Sequence, residues 1–118
     1  MNIILAMAIK DFDAYQKFCK STAVYPKVGK SFVYPVLGLM GEAGEVSEKF
    51  KKLFRDHGGR LTHEYKLEIA KEMGDVLWYL AQISTELNLK FSEVARINVD
   101  KLSKRKEENK LHGSGDNR

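Results

Sequence analysis

"GLMGEAGEV" at residues 38–46 and "EMGDVLWYL" at residues 72–80 decide how this chain folds. Each sets two acidic residues three apart in an apolar frame, Glu42 with Glu45 and Glu72 with Asp75, and 26 residues separate the pairs. On a helix, side chains at i and i+3 share one face, about 5 to 6 Å apart at Cβ. Two such helices side by side bring all four carboxylates to one spot. At an effective dielectric of ~20, two unit charges ~5 Å apart repel by ~3 kcal/mol. Four facing anions therefore ask for cations between them, and an all-oxygen donor set favours Mg²⁺, Mn²⁺ or Ca²⁺ over zinc.

Outward from these pairs, the pattern is helical throughout. Pro35 suits the first turn of a helix that runs to about Asp56, with Val36, Leu39, Met40, Ala43, Val46, Phe50, Leu53 and Phe54 at steps of three and four. "HGG" at 57–59 is a C-terminal stop. Thr62 caps the next helix, about 63–87, whose first turn carries Glu64. Its apolar positions cover more than half its circumference, which predicts a central helix. "NLKFS" at 88–92 breaks the pattern, and Ser92 is expected to cap a helix over about 93–108 with Val94, Ala95, Val99 and Leu102 facing the core. An earlier helix is expected within about residues 4–22, with Ile9, Phe12, Tyr15 or Phe18 as its apolar contacts, before the turn "VYPKVGKSF" at 24–32. No strand pattern appears. The fold class is all-α, a four- to five-helix bundle.

The chain has 118 residues, 43% of them hydrophobic, which suits one domain spanning 1–118 with residues 111–118 as a polar tail or lid. Its net charge of +4 comes mainly from Lys101, Lys104, Arg105, Lys106, Lys110 and Arg118 near the end, which is not the profile of a DNA binder. The single Cys19 excludes an internal disulfide and a Cys-rich zinc site, and reads as a semi-buried small residue in a reducing compartment. "MNIILAMAI" at 1–9 is too short to span a bilayer and has no basic leader, so the expectation is a soluble, cytoplasmic protein without membrane contact.

At 100° per residue, Gly38, Glu42, Glu45, Lys49 and Lys52 form one strip beside the apolar face of the second helix. Glu68, Glu72, Asp75 and Tyr79 form the matching strip on the third, and Asn98, Lys101 and Arg105 a strip on the fourth. Metal-binding carboxylates next to phosphate-binding cations are what holding a metal-chelated polyphosphate requires. Gly costs ~1 kcal/mol against Ala inside a helix, so Gly38 and Gly41 beside Glu42 point to a close approach.

These residues resemble the MazG-type nucleotide pyrophosphohydrolases of the all-α NTP pyrophosphatase superfamily, whose signature is E-x-x-E, a spacer, then E-x-x-D. The correspondence runs from about Tyr34 to Arg105 and takes in "N-x-x-K-L" at Asn98, Lys101 and Leu102. The tail "HGSGDNR" is also similar to those of small MazG-like proteins. The resemblance implies that Glu42, Glu45, Glu72 and Asp75 coordinate Mg²⁺, with Mn²⁺ as a possible substitute. It also implies that a nucleoside triphosphate is cut between its α and β phosphates, giving the monophosphate and pyrophosphate. Metal-activated water is then the nucleophile, and Glu42 or Glu45 takes its proton. Lys49, Lys52, Lys101 and Arg105 are expected to hold the leaving pyrophosphate.

Base recognition is less legible. Phe32, Tyr34, Trp78 and Tyr79 are aromatic candidates, with Trp78 carried forward as a substrate contact, and Asn98 suits a sugar hydroxyl or base edge. His57, His63 and His112 have no metal-site spacing. The tail can fold over a bound nucleotide, with Ser114 near phosphate and Arg118 adding charge. So small a chain has few helices to wall off a nucleotide, so a homodimer or homotetramer is expected to complete the core. Two other classes stay open: a helical nucleic-acid-binding regulator and a non-catalytic protein-interaction module. Phosphoribosyl-ATP and dimeric dUTP pyrophosphatases are the nearer rivals among enzymes.

Overall fold

A computed structural model describes residues 9–117, and among them every regular element is helical: α1 Phe12–Ser21, α2 Val33–His57, α3 His63–Glu86 and α4 Phe91–Glu107. The part of the expected first helix before Ile9 lies outside the described residues. Local chemistry sets the boundaries. Asp11 caps α1 by accepting from the Ala14 N–H at 2.7 Å, and Thr62 caps α3 by accepting from the Tyr65 N–H at 3.1 Å. Pro35 is buried in the first turn of α2. That helix ends at Gly58, whose φ of 59° is the left-handed conformation a C-terminal glycine adopts at least cost.

The central place expected for the third helix is observed, because α3 packs against α1, α2 and α4 while α2 touches neither α1 nor α4. The α2/α3 pair is an antiparallel hairpin. Going down α2 from Lys49 through Glu42 to Gly38, the facing residues climb α3 from Glu68 through Glu72 and Asp75 to Tyr79. Each step of three or four on one helix meets an equal step on the other, so Glu42 faces Glu72 and Asp75 across the seam.

Beside that hairpin lies a small core of Cys19, Ala81 and Phe91, with Tyr15 and Trp78 packed against it. Cys19 is fully buried rather than semi-buried. The loop between α1 and α2 is pinned to α3 by polar contacts. Tyr25 donates to the Glu86 carboxylate and accepts from Gln82 Nε2 at 3.1 Å, while the Gly29 N–H donates to Glu86 at 3.0 Å. Burial, and then the hydrogen bond to Glu86, push the Tyr25 hydroxyl up to about 12. Tyr34 stacks on Tyr25 with ring centroids 5.2 Å apart, which fixes the start of α2 over α3.

The start of α4 differs from expectation. The helix begins at Phe91, two residues early, and Ser92 is a recipient rather than a cap. Its N–H and hydroxyl both donate to Asp13 of α1, at 3.0 and 2.8 Å, and the Phe91 N–H donates to Gln16 Oε1 at 2.8 Å. The free donors of the first turn are thus met from another helix, so a local capping rule points to the wrong residue. Val94, Val99 and Leu102, expected in the core, are exposed; Phe91 and Arg105 are the residues α4 buries.

The single chain leaves much of its apolar surface open. Its accessible surface is 9006 Å², whereas a folded monomer of this mass has roughly 6,500 Å². The radius of gyration is 17.1 Å, against about 13.5 Å for a compact chain of this length. Met40, Phe54 and Met73 are exposed on the hairpin, and a groove of about 310 Å³ between its helices is lined by Ala43, Val46, Met73, Val76, Leu77 and Leu80.

Candidate metal and phosphate site

Across the hairpin seam, one carboxylate oxygen from each of Glu42, Glu72 and Asp75 lies within 4.8 Å of the others. Glu42 and Glu72 are half-buried and Asp75 is exposed. Glu45, the fourth acid of the predicted set, is exposed one turn along α2 and falls outside this trio, although its charge acts on Glu42. Burial, then the charges of Asp75, Glu72 and Glu45, hold the Glu42 carboxyl above the usual carboxylate range. Among the described residues no ion pair reaches any of the four.

One end of the acidic patch is closed by an aromatic ring. A Cβ at position 38 would sit 2.2 Å from Tyr79 Cε1, so the close approach expected at Gly38 is present and its partner is Tyr79. Gly41 and Gly74 meet nothing within 4 Å and leave open space beside Glu42 and Asp75. At the other end, Lys49 Nζ is 3.9 Å from Glu68, and the Tyr65 hydroxyl donates to the Lys49 carbonyl, joining the helices below the acids. Lys52 is exposed one turn further on.

The predicted strip of α4 divides. Asn98 is exposed, whereas Lys101 Nζ and Arg105 Nη2 each lie 3.1 Å from Asp116 Oδ1, and Arg105 also donates to the Gly115 carbonyl at 3.2 Å. The tail therefore folds back on α4, a contact that no local spacing signals because it closes across 11 residues. Arg118 lies outside the described residues. Trp78 is half-buried. Its indole N–H donates to Thr22 Oγ1 at 2.8 Å, and its ring meets Tyr25 and Tyr79 edge-on at 6.2 and 5.0 Å. Tyr25 and Gln82, which the sequence pattern did not single out, support this aromatic group from below.

Residues 35–109, well over half the chain and carrying all four acids, match the family model described as the MazG nucleotide pyrophosphohydrolase domain. The chain belongs to the MazG family. It is also 41% identical over 111 residues to "Gene 37 protein" of Mycobacterium phage L5, covering 90% of this chain and 97% of that protein. That name carries no activity. No solved structure matches the chain.

For a MazG chain the acidic trio has the composition a divalent metal needs. Its donors are all carboxylate oxygens, and neighbouring oxygens around an octahedral Mg²⁺ lie about 3 Å apart given ~2.1 Å bonds. The trio, within 4.8 Å, would close on one ion by rotation of its side chains. No helix among the described residues is long and apolar enough to cross a membrane.

Proposed function

We propose that this MazG protein is a Mg²⁺-dependent pyrophosphohydrolase that cuts the α–β anhydride of nucleoside or deoxynucleoside triphosphates, releasing the monophosphate and pyrophosphate in a nucleotide-pool or house-cleaning role. The observation that carries this reading is the trio Glu42, Glu72 and Asp75, converging from antiparallel helices with no ion pair to any of them among the described residues. Mn²⁺ is the expected substitute for Mg²⁺. The bound metal supplies charge neutralisation of the triphosphate and acidification of a water.

The protein's own side chains supply the rest. Glu42, Glu72 and Asp75 anchor the metal from the seam, and Glu45 completes the set by rotation of an exposed side chain. Of the first pair, Glu42 and Glu45, the glutamate with an oxygen left unsaturated by metal accepts the water's proton. Lys49, Lys52, Lys101 and Arg105 bind the pyrophosphate as it leaves, their fixed charge opposing what develops on its oxygens. Trp78 and Tyr34 flank the base, and Asn98 meets a sugar hydroxyl or base edge. Arg118 adds charge from the tail.

A second copy of the chain completes the site. The surface excess of about 2,500 Å² over a compact monomer is enough for the roughly 1,000–2,500 Å² that an obligate interface buries on each partner. The apolar groove and the exposed Met40, Phe54 and Met73 support the hairpin as the surface such a copy covers. The assembly proposed is a homodimer, or a tetramer of two such pairs.

A panel of canonical and modified NTPs and dNTPs with Mg²⁺, scored separately for pyrophosphate, monophosphate and orthophosphate, tests the reaction. Pyrophosphate with monophosphate is the expected outcome. Diphosphate with orthophosphate moves the cut to the β–γ bond and defeats the proposal.

A further inference from the structure

The cations of α4 already hold an anion that belongs to the chain. Lys101 and Arg105 converge on a single oxygen of Asp116, each at 3.1 Å, and the Gly115 carbonyl takes a further bond from Arg105 at 3.2 Å. The partners differ sharply in burial. The Arg105 side chain is 7% exposed, while that of Asp116 is 78% exposed. A buried guanidinium cannot turn to water for compensation, so it keeps its place and needs an anion there. An exposed carboxylate at the end of a tail can leave. The tail reaches this position through Gly115 at φ 77°, a backbone state that glycine adopts with little strain. Lys101 first, and then Arg105, hold the Asp116 carboxyl below its usual range, so it is an anion at neutral pH.

We infer that Lys101 and Arg105 form an oxyanion subsite whose resting occupant is the chain's own Asp116, and that a phosphate group binds there by displacing it. The inference rests on assigning these two cations to phosphate in the proposed function, and adds the tail as a tethered competitor. A planar guanidinium beside an ammonium suits phosphate oxygens at least as well as a carboxylate, and pyrophosphate carries more charge than Asp116. A short tether supplies its carboxylate at an effective concentration on the order of millimolar. Asp116 thus keeps the buried Arg105 paired while the site waits and sets a threshold that an incoming phosphate must exceed. As phosphate enters, the segment around Gly115 comes off α4.

Calorimetric titration of inorganic pyrophosphate into the full-length protein, with divalent metal chelated, tests this without any turnover. Asp116→Asn keeps the shape and an acceptor but removes the charge, and the dissociation constant should fall about three- to tenfold. Glu64→Gln removes an equal charge at the start of α3 and should leave the constant unchanged. Lys101→Met in the Asp116→Asn background should abolish the gain. Unchanged or weaker binding by Asp116→Asn overturns the inference, as does a gain that Glu64→Gln reproduces or that survives the loss of Lys101. In the wild-type protein, pyrophosphate should shift the Gly115 amide resonance, and a resonance that stays put at saturation also overturns it. Because neither metal nor hydrolysis enters, failure of the triphosphate panel would leave this result standing, and the reverse holds equally.

Discussion

Along the α2/α3 hairpin three carboxylates face one another with no cation among the described residues to meet them, whereas along α4 two cations converge on a carboxylate that the tail brings back. Both clusters lie on strips beside an apolar face, and each would be costly to leave uncompensated. The chain neutralises the second internally, and in the proposed function an external ion neutralises the first. The lesson is about exchange: the acidic cluster gains a ligand by relieving repulsion, and the basic cluster gains one by trading its internal partner. Metal at the hairpin should therefore change stability as well as activity, while anions at α4 should change affinity with little effect on folding.

The contrast can be broken at the acidic end first. Glu72→Gln removes a ligand from the seam while preserving volume, and kcat should fall by well over the 10- to 100-fold that loss of an outer-shell partner costs, with an unchanged helical circular dichroism spectrum. Near wild-type turnover would return the acids to the status of ordinary surface charges. Gly38→Ala drives a methyl into the Tyr79 ring, and such overpacking should cost about 1–3 kcal/mol in urea unfolding and lower activity by moving the ring that closes the acidic patch. A stability equal to wild type would mean that the ring rotates away freely.

Titration sharpens the same contrast. Because the folded Glu42 carboxyl lies above its unfolded value, metal-free protein gains relative stability from this group as pH falls through that raised value, and loses it above. Mg²⁺ should therefore raise the unfolding midpoint at pH 7.5 and progressively less as the solution is taken toward pH 4.5, followed by thermal melts with and without the ion. Asp13 carries the opposite sign. The backbone and then the side-chain hydrogen bonds of Ser92 hold its carboxyl below the usual range, so its contribution is present above the unfolded value and is lost as pH falls through the lower folded one. Asp13→Ala should lower the midpoint at neutral pH, where α4 loses its docking partner, and narrow the difference from wild type as pH falls through Asp13's lowered folded value. An equal gap at all pH values would remove Asp13 from the cap.

Much of this was written in short-range pattern. The i, i+3 acids, Thr62, Pro35 and the "HGG" stop are read from neighbours in sequence, and each falls where those neighbours placed it. Gly38 announced a close approach, whose partner, Tyr79, only the structure supplies, whereas Gly41, read the same way, meets nothing within 4 Å. What the sequence did not disclose depends on contacts between distant segments. Asp13 and Gln16 cap a helix more than 70 residues away. Tyr25 and Gln82 meet across 57 residues, and Asp116 returns to Arg105 only when the tail turns. The apolar positions of α4 misled for a related reason: helical periodicity marks a face without saying whether this chain or another covers it. Val99 and Leu102 are open to solvent in the single chain.

The central claim is that Glu42, Glu72 and Asp75 together hold a divalent cation. Binding of Mn²⁺ by electron paramagnetic resonance at pH 7.5, comparing wild type with Glu72→Gln and Asp75→Asn, measures it without reference to substrate or product. Saturable loss of the free Mn²⁺ signal in the wild type, competed by Mg²⁺ and weakened at least about tenfold in either variant, is the predicted result. Equal binding by all three proteins, or none by the wild type, would contradict it.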